Sequence, residues 1–166
     1  MSRDANLLGA LSTAVTDELD RAEAATSYLT RTQSTALNVV ATHRGGTIRD
    51  LAEALELSHP GTVRLVDRLQ EDGYIERRAG QDARSVALHL TAAGRRLWNR
   101  QRRARDARLD ELVSVLPRSA RASLRSAVEI LLAELGSEPT GAATICRRCD
   151  VAECPQDRCP VARATA

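Results

Sequence analysis

Residues 57–94 read LSHPGTVRLVDRLQEDGYIERRAGQDARSVALHLTAAG, and this stretch decides the fold. Ser58 has a side chain suited to capping a helix, and Pro60 falls in the first turn, where a missing N–H costs nothing. At about 100° per residue, Thr62, Leu65, Val66 and Leu69 share one side of that helix. Pro60, Gly61, Val63, Arg64, Asp67 and Arg68 share the other. Gly73 ends it. The period then changes to 2. Tyr74–Arg78 reads as a strand and AGQDA as a turn, and in Ser85–Leu90 the residues Val86, Leu88 and Leu90 alternate with Ser85, Ala87 and His89. A helix followed by one β-hairpin is expected.

Outside this stretch the periodicity is helical. In residues 5–25, Leu7, Leu8, Leu11, Val15, Leu19 and Ala22 form one apolar stripe. A second helix fits Leu29–His43, with Leu37, Val40 and Ala41 inward, and Gly45-Gly46 stops it. Thr47 then caps a third, with Asp50 in capping-box register and Ile48, Leu51, Ala52 and Leu55 as its buried face. Downstream, Thr91 caps a helix that runs to Leu116, and Pro117 starts a last one ending at Gly136. The expected architecture is mainly α: a winged helix-turn-helix with a two-stranded wing, flanked by long terminal helices. A chain this size has little core for both terminal helices to cover, so their stripes are expected to meet a second copy as a homodimer. Leu7, Leu11, Val15, Leu112, Leu124, Leu131 and Leu135 are the candidate contacts. The divisions are then an N-terminal dimerisation helix (1–27), a DNA-binding domain (28–91), C-terminal dimerisation helices (92–136) and a linker with a four-cysteine tail (137–166).

Composition narrows the function. The 166 residues allow one compact domain, or one domain with a small appendage. No apolar stretch approaches a membrane span, and no secretory apolar core is visible, so a cytoplasmic protein without a membrane partner is expected. All 24 basic residues are Arg, a side chain whose fixed donors suit phosphate and base edges. Aromatic residues are 2% with no Phe, against single-strand binders that stack bases. Residues 58–108 hold 12 Arg against 6 acids, whereas both flanks are slightly acidic. A basic centre of this kind is the footprint of nucleic-acid contact, although a solvated face gives the same count. The densest run, Arg95–Arg108, leaves phosphate contact and plain solubility equally open. His43 and His89 lack metal-ligand spacing, Gly45-Gly46 lacks the Lys of a phosphate loop, and no nucleophile–base pair is visible. An enzyme is not expected.

In a winged helix-turn-helix the second helix of the pair lies in the major groove. The candidate DNA contacts are therefore Ser58, His59, Gly61, Val63, Arg64 and Arg68, with Asp82 and Arg84 at the hairpin tip; Arg77, on the first strand of the hairpin, joins them through the resemblance described next. There the carboxylate can brace the guanidinium toward the narrow, electronegative minor groove. From about Tyr28 to Arg96 the sequence resembles the MarR family of bacterial transcription regulators. The resemblance rests on Ser58, Arg64-Leu65-Val66-Asp67-Arg68-Leu69, Gly73, Arg77-Arg78, Asp82, Arg84 and Leu90-Thr91-Ala92-Ala93-Gly94. It implies a homodimer, joined through its termini, that binds a pseudo-palindromic operator in double-stranded DNA, as a repressor more than an activator, with room for a small-molecule effector. One departure is Val63, where the family usually has a hydroxyl residue. Base contacts from this helix are then expected to be fewer, or to read a thymine methyl.

The four cysteines, Cys146, Cys149, Cys154 and Cys159, are spaced Cys-x2-Cys-x4-Cys-x4-Cys. This is zinc-knuckle spacing with Cys in place of the usual His, and four thiolates on a short loop suit tetrahedral zinc. The surrounding segment is too poor in apolar residues to fold unaided, so metal binding would supply the missing energy. Zinc is the expected cofactor. An iron–sulfur cluster is the alternative, because Cys154 and Cys159 each precede Pro. Free thiols, or disulfides that a cytosol disfavours, are the remaining readings. Such a site would be structural or would sense metal or redox state. A different function class is also open, in which the tail docks a protein partner and the winged helix is scaffold.

Overall fold

The computed structural model of the chain describes residues 2–43, 46–80, 85–138, 141–149, 154 and 157–164. In chain order the elements are α1 (Arg3–Ala24), α2 (Arg31–Thr42), α3 (Ile48–Leu55), α4 (His59–Glu71), β1 (Ile75–Ala79), β2 (Val86–Leu90), α5 (Ala92–Ser114), α6 (Arg118–Gly136), α7 (Gly141–Cys146) and α8 (Pro160–Ala164). The helix starts are written in short-range chemistry. Thr30 with Gln33 and Thr47 with Asp50 close full capping boxes, and Ser58 and Thr91 accept from the N–H of Gly61 and Gly94. Gly73, at φ +75°, reverses the chain after α4, and Tyr74 N–H returns to the Leu69 carbonyl at 2.9 Å.

The core is one cluster drawn from α2, α3, α4, the hairpin and α5. Ala36, Leu37, Val39, Val40, Leu51, Ala54, Val66, Leu69, Ile75, Leu88, Leu90 and Leu97 are buried in it. Thr62, Val66 and Leu69 point inward from α4 as the spacing predicts, and Arg64 and Arg68 point out. On α3 the expected face is rotated slightly, because Ala54 rather than Ala52 is fully buried beside Leu51. Gly94 fits where a Cβ would collide with the Tyr74 carbonyl, so α5 can leave the wing at close range.

Strands β1 and β2 pair antiparallel, Ile75 opposite Leu90 and Arg77 opposite Leu88. The strict alternation expected of β2 does not hold. Val86 is 45% exposed and Ala87 is buried. Helices α2, α3 and α5 all pack on β2, and consecutive Ala87 and Leu88 are both buried, whereas Val86 lies at the wing end of the strand. The Gly46 carbonyl accepts from Leu88 N–H at 2.9 Å, adding a short third edge to the hairpin that periodicity could not reveal.

The stripes expected at a dimer interface are on the surface of this chain. Leu7, Leu11, Leu131 and Leu135 are each more than two-fifths exposed, while Val15, Leu112 and Leu124 are half-buried. Helix α1 packs on α5, where Arg108 Nε donates to Glu18 at 2.8 Å.

Within residues 137–166, expected as a linker and four-cysteine tail, Gly141–Cys146 is helical and packs on α3 and α6, and α8 packs on α6. The physical reason is backbone fit at glycine. Gly141 sits against the Leu135 carbonyl, and Gly136 against Val161, at distances that leave no room for a Cβ at the first and little at the second.

Candidate nucleic-acid interface and thiol cluster

The α3–α4 unit presents a polar outer face. Ser58, His59, Arg64 and Arg68 are exposed, and Gly61 and Val63 are half-buried. Arg64 and Arg68 lie four residues apart, so their guanidinium groups leave one side of α4 one turn from each other. Arg77 behaves differently. Its guanidinium donates to Asp67 at 2.6 Å and to Gln70 at 2.5 Å, which braces β1 against α4. Its charge is thus largely committed inside the protein. Asp82 and Arg84 lie outside the described residues. Below α4 a cleft of about 1070 Å³ is lined by residues including Leu57, Arg64, Leu65, Arg68, Tyr74 and Arg100. It mixes apolar walls with guanidinium groups.

Behind this face is a polar network that the sequence did not reveal. Asn38, 8% exposed, accepts from Trp98 Nε1 at 2.9 Å. Gln101, also buried, donates to Ser27 and Ser34 at 2.9 and 2.8 Å. Arg102 stacks over the Trp98 ring at 5.5 Å. A buried amide amid Leu37, Val39 and Val40 was the available signal, since such a group requires partners.

The tail binds into this network. The Asn38 amide Nδ2 donates to the carbonyls of Arg147 and Cys149, at 2.9 and 3.3 Å. Arg148 donates to Thr35 at 3.0 Å and forms an ion pair with the buried Glu23. Arg147 pairs with Glu56 at 3.5 Å, and Glu56 is the left-handed residue that ends α3.

All four thiols lie in this region, and they sense one another. Burial first, and then Cys149, Cys159 and Cys154, push Cys146 up to about 11. Burial also raises Cys149, against the opposing charge of Arg105. Cys154 is raised by burial and by its hydrogen bond with Cys159. Cys159 is the exception: burial works to raise it, but the Ala162 and Val161 N–H groups and Cys154 favour its thiolate and prevail. Among the described residues, which include all four cysteines, no group of three or more His, Cys, Asp or Glu side chains is placed to hold a metal ion. The four soft donors suit zinc or an iron–sulfur cluster better than a hard cation.

Comparison with known proteins decides the family. The MarR family model matches residues 29–85. Two HTH-type transcriptional regulators, of Mycobacterium bovis and Mycobacterium tuberculosis, are each 31% identical over 114 residues, 68% of this chain and 80% of theirs. The chain belongs to the MarR family. It is accordingly a winged-helix transcription regulator, in a family of regulators and not of enzymes.

Solved MarR-type structures share its fold. MepR, a transcription regulator of the Staphylococcus aureus multidrug efflux pump MepA, has a TM-score of 0.68 at 22% identity over 81% of this chain and 99% of its own. A MepR mutant bound to an oligodeoxyribonucleotide gives 0.59 at 23%, with the same coverage. CouR from Rhodococcus jostii, bound to p-coumaroyl-CoA, gives 0.60 at 23% over 78% of this chain and 92% of its own. Among the described residues no helix is long and apolar enough to cross a membrane.

Proposed function

We propose that this MarR-family regulator is a homodimeric cytoplasmic repressor that reads a pseudo-palindromic operator in double-stranded DNA. The observation that carries the reading is α4, buried through Thr62, Val66 and Leu69 and presenting Arg64 and Arg68 outward. Residues at the N-terminal end of such a helix reach base edges, which gives Ser58, His59, Gly61, Val63 and Arg64 the base side and Arg68 the phosphate side. Arg77 supports the wing, and Asp82 and Arg84 are assigned to the minor groove at its tip. The MepR mutant bound to an oligodeoxyribonucleotide supports this docking by analogy. The exposed stripes of α1 and α6 supply the dimer seam.

The cleft that shares Arg64 and Arg68 with the outer face suits an anionic effector with an apolar body, as CouR with p-coumaroyl-CoA illustrates for a relative. An anion held there would draw both guanidinium groups away from DNA. Cys146, Cys149, Cys154 and Cys159 are assigned to one metal centre, with zinc preferred, since four thiolates close a tetrahedral structural site.

The test is selection of operator sequences from random duplex DNA by the full chain, followed by titration across a salt series. A two-fold symmetric site with half-sites about one helical turn apart is expected. Weak binding without sequence preference, or a monomer in solution, would refute the reading. Metal analysis of anaerobically purified protein tests the thiol centre: colourless protein with one zinc per chain is expected, and brown protein would assign a cluster instead.

A further inference from the structure

We propose that the recess between α1, α5 and the tail is a binding site for a small monocarboxylate with a short apolar body, and that the bound acid holds the tail in place. The site goes beyond the DNA reading and uses no metal. The recess measures about 220 Å³ and is walled by Leu19 of α1, Leu109 of α5 and Ile145 of α7, with Arg105 and Arg148 supplying charge. No residue lines both this recess and the cleft below α4, so the two are separate.

The charges here leave one cation over. Arg148 is paired with Glu23, and Arg31, at the rim, is paired with Asp20 at 3.3 Å. Arg105 makes no such pair among the described residues, and its Nε is buried without a hydrogen-bond partner. A guanidinium withdrawn from water and left unanswered is costly, and an anion beside it recovers much of that cost. Arg148 lines the same recess, so two like charges share it. A single anion between them turns their repulsion into two attractions.

Size and polarity narrow the ligand. One surplus cation calls for one negative charge, and a carboxylate meets a guanidinium as two matched forks. The three aliphatic walls call for an apolar body. A cavity of roughly 150 Å³ takes benzene, so a recess of about 220 Å³ takes one small ring or a short chain together with its carboxylate. Drug-sized ligands occupy roughly 300–1,000 Å³, which rules out nucleotides and other bulky anions. Inorganic phosphate would leave the walls unfilled, and its second charge would have no cation. Because the occupant touches α1, α5 and the tail together, its binding and the docking of the tail favour each other reciprocally.

The experiment is calorimetric titration of the full chain with benzoate, for which a Kd of about 1 mM or tighter is expected. Benzamide has the shape without the charge, and phosphate has the charge without the ring; each should bind at least about tenfold more weakly. Arg105→Gln should weaken benzoate by about 10- to 150-fold, the loss of a hydrogen-bonded charged partner. Ile145→Asp, on the tail and outside the core, sets a carboxylate against the ligand's own and should weaken it as much. It decides the matter if Arg105→Gln fails to fold. Arg64→Ala and Arg68→Ala alter only the cleft below α4, which benzoate is too small to fill, and should leave its affinity unchanged. At about ten times its Kd, benzoate should slow trypsin cleavage after Arg147 and Arg148 by about tenfold. Binding lost in the Arg64 and Arg68 variants but kept in Arg105→Gln and Ile145→Asp would place the acid in the cleft and overturn this site. So would equal affinity for benzamide, or no saturable binding up to about 10 mM. Benzoate binding with unchanged cleavage of the tail would overturn the hold on the tail. Operator binding is measured separately, so each of these failures leaves the DNA reading standing.

Discussion

Arg64→Ala and Arg68→Ala separate the two jobs assigned to α4. Both residues are exposed on the face opposite Thr62, Val66 and Leu69, so neither substitution opens the core. Neither belongs to the wing brace, which uses Arg77, Asp67 and Gln70. Unfolding free energy should therefore change by no more than about 0.5 kcal/mol. Their effects on DNA differ by position. Arg68 is one turn farther from the helix start and is assigned to phosphate, where each lost contact flattens the log–log salt slope by about 0.9. A symmetric dimer loses two, so the slope falls by about 2 with affinity reduced on every sequence. Arg64 sits near the helix start and is assigned to a base edge. A bidentate Arg–guanine pair carries about 1–3 kcal/mol of discrimination. Arg64→Ala should thus lose that preference at one position per half-site, while binding to unrelated DNA is nearly unchanged. The assay is anisotropy titration of the selected operator and its single-base variants across a salt series. Wild-type slopes and wild-type base preferences in both variants would refute the placement of α4 in the major groove.

Leu131→Asp places a carboxylate in the exposed α6 stripe, where Leu131 is 42% exposed and flanked by the still more exposed Ile130 and Leu135. Sedimentation should show monomer, with operator binding lost alongside, because an unpaired charge cannot be buried at a dimer seam without a large penalty; a DNA-binding dimer would move the interface elsewhere. Gly94→Ala drives a Cβ into the Tyr74 carbonyl and should cost about 1–3 kcal/mol in chemical denaturation, since backbone cannot yield as a flexible side chain does; wild-type stability would show that α5 does not leave the wing at this close range. Glu18 titrates below its ordinary range because Arg108 hydrogen-bonds its carboxylate, so its stabilising effect is present above the unfolded carboxylate pKa and fades as pH falls through the depressed folded value. Glu18→Gln should accordingly be less stable than wild type in neutral urea titrations and converge with it in acid, and a constant gap across pH would remove the α1–α5 ion pair from the account.

The elements were legible where their signals are local. Capping at Thr47, Ser58 and Thr91 depends on side chains reaching an N–H three residues on, and each is in place. Gly73 was marked by its left-handed need, and the two faces of α4 by arithmetic alone. The β2 alternation failed because tertiary cover overrode period: α2, α3 and α5 all pack on this strand, and Ala87 is buried while Val86 is exposed. Asn38 and the tail were out of reach for another reason. Its partners are Trp98, Arg147 and Cys149, and no window of sequence joins residues so far apart. For the site, the composition of α4 located the DNA face, but nothing in the linear order showed that Arg77 would turn back onto Asp67.

The Arg95–Arg108 run illustrates why charge counts alone misassign function. Phosphate contact and solubility were the two readings it offered. Part of the run does neither. Arg102 lies over Trp98, Arg105 is half-buried and lines one recess with Cys149, and Arg108 is shared between Glu18 and Glu111. These three face α1 and the tail, on the side of α5 that carries Gln101. Desolvation lowers Arg105, with the like charge of Arg148 adding to it, which is the condition an anionic neighbour would relieve. A lysine in this place would be driven toward its neutral form by the same burial, and could neither stack flat on an indole nor fork between two carboxylates. The exclusive use of Arg therefore has an internal cause as well as an external one. A cation that must stay charged while half-buried, Arg108, holds the N-terminal helix to α5, and those on the outer face of α4 remain available for DNA.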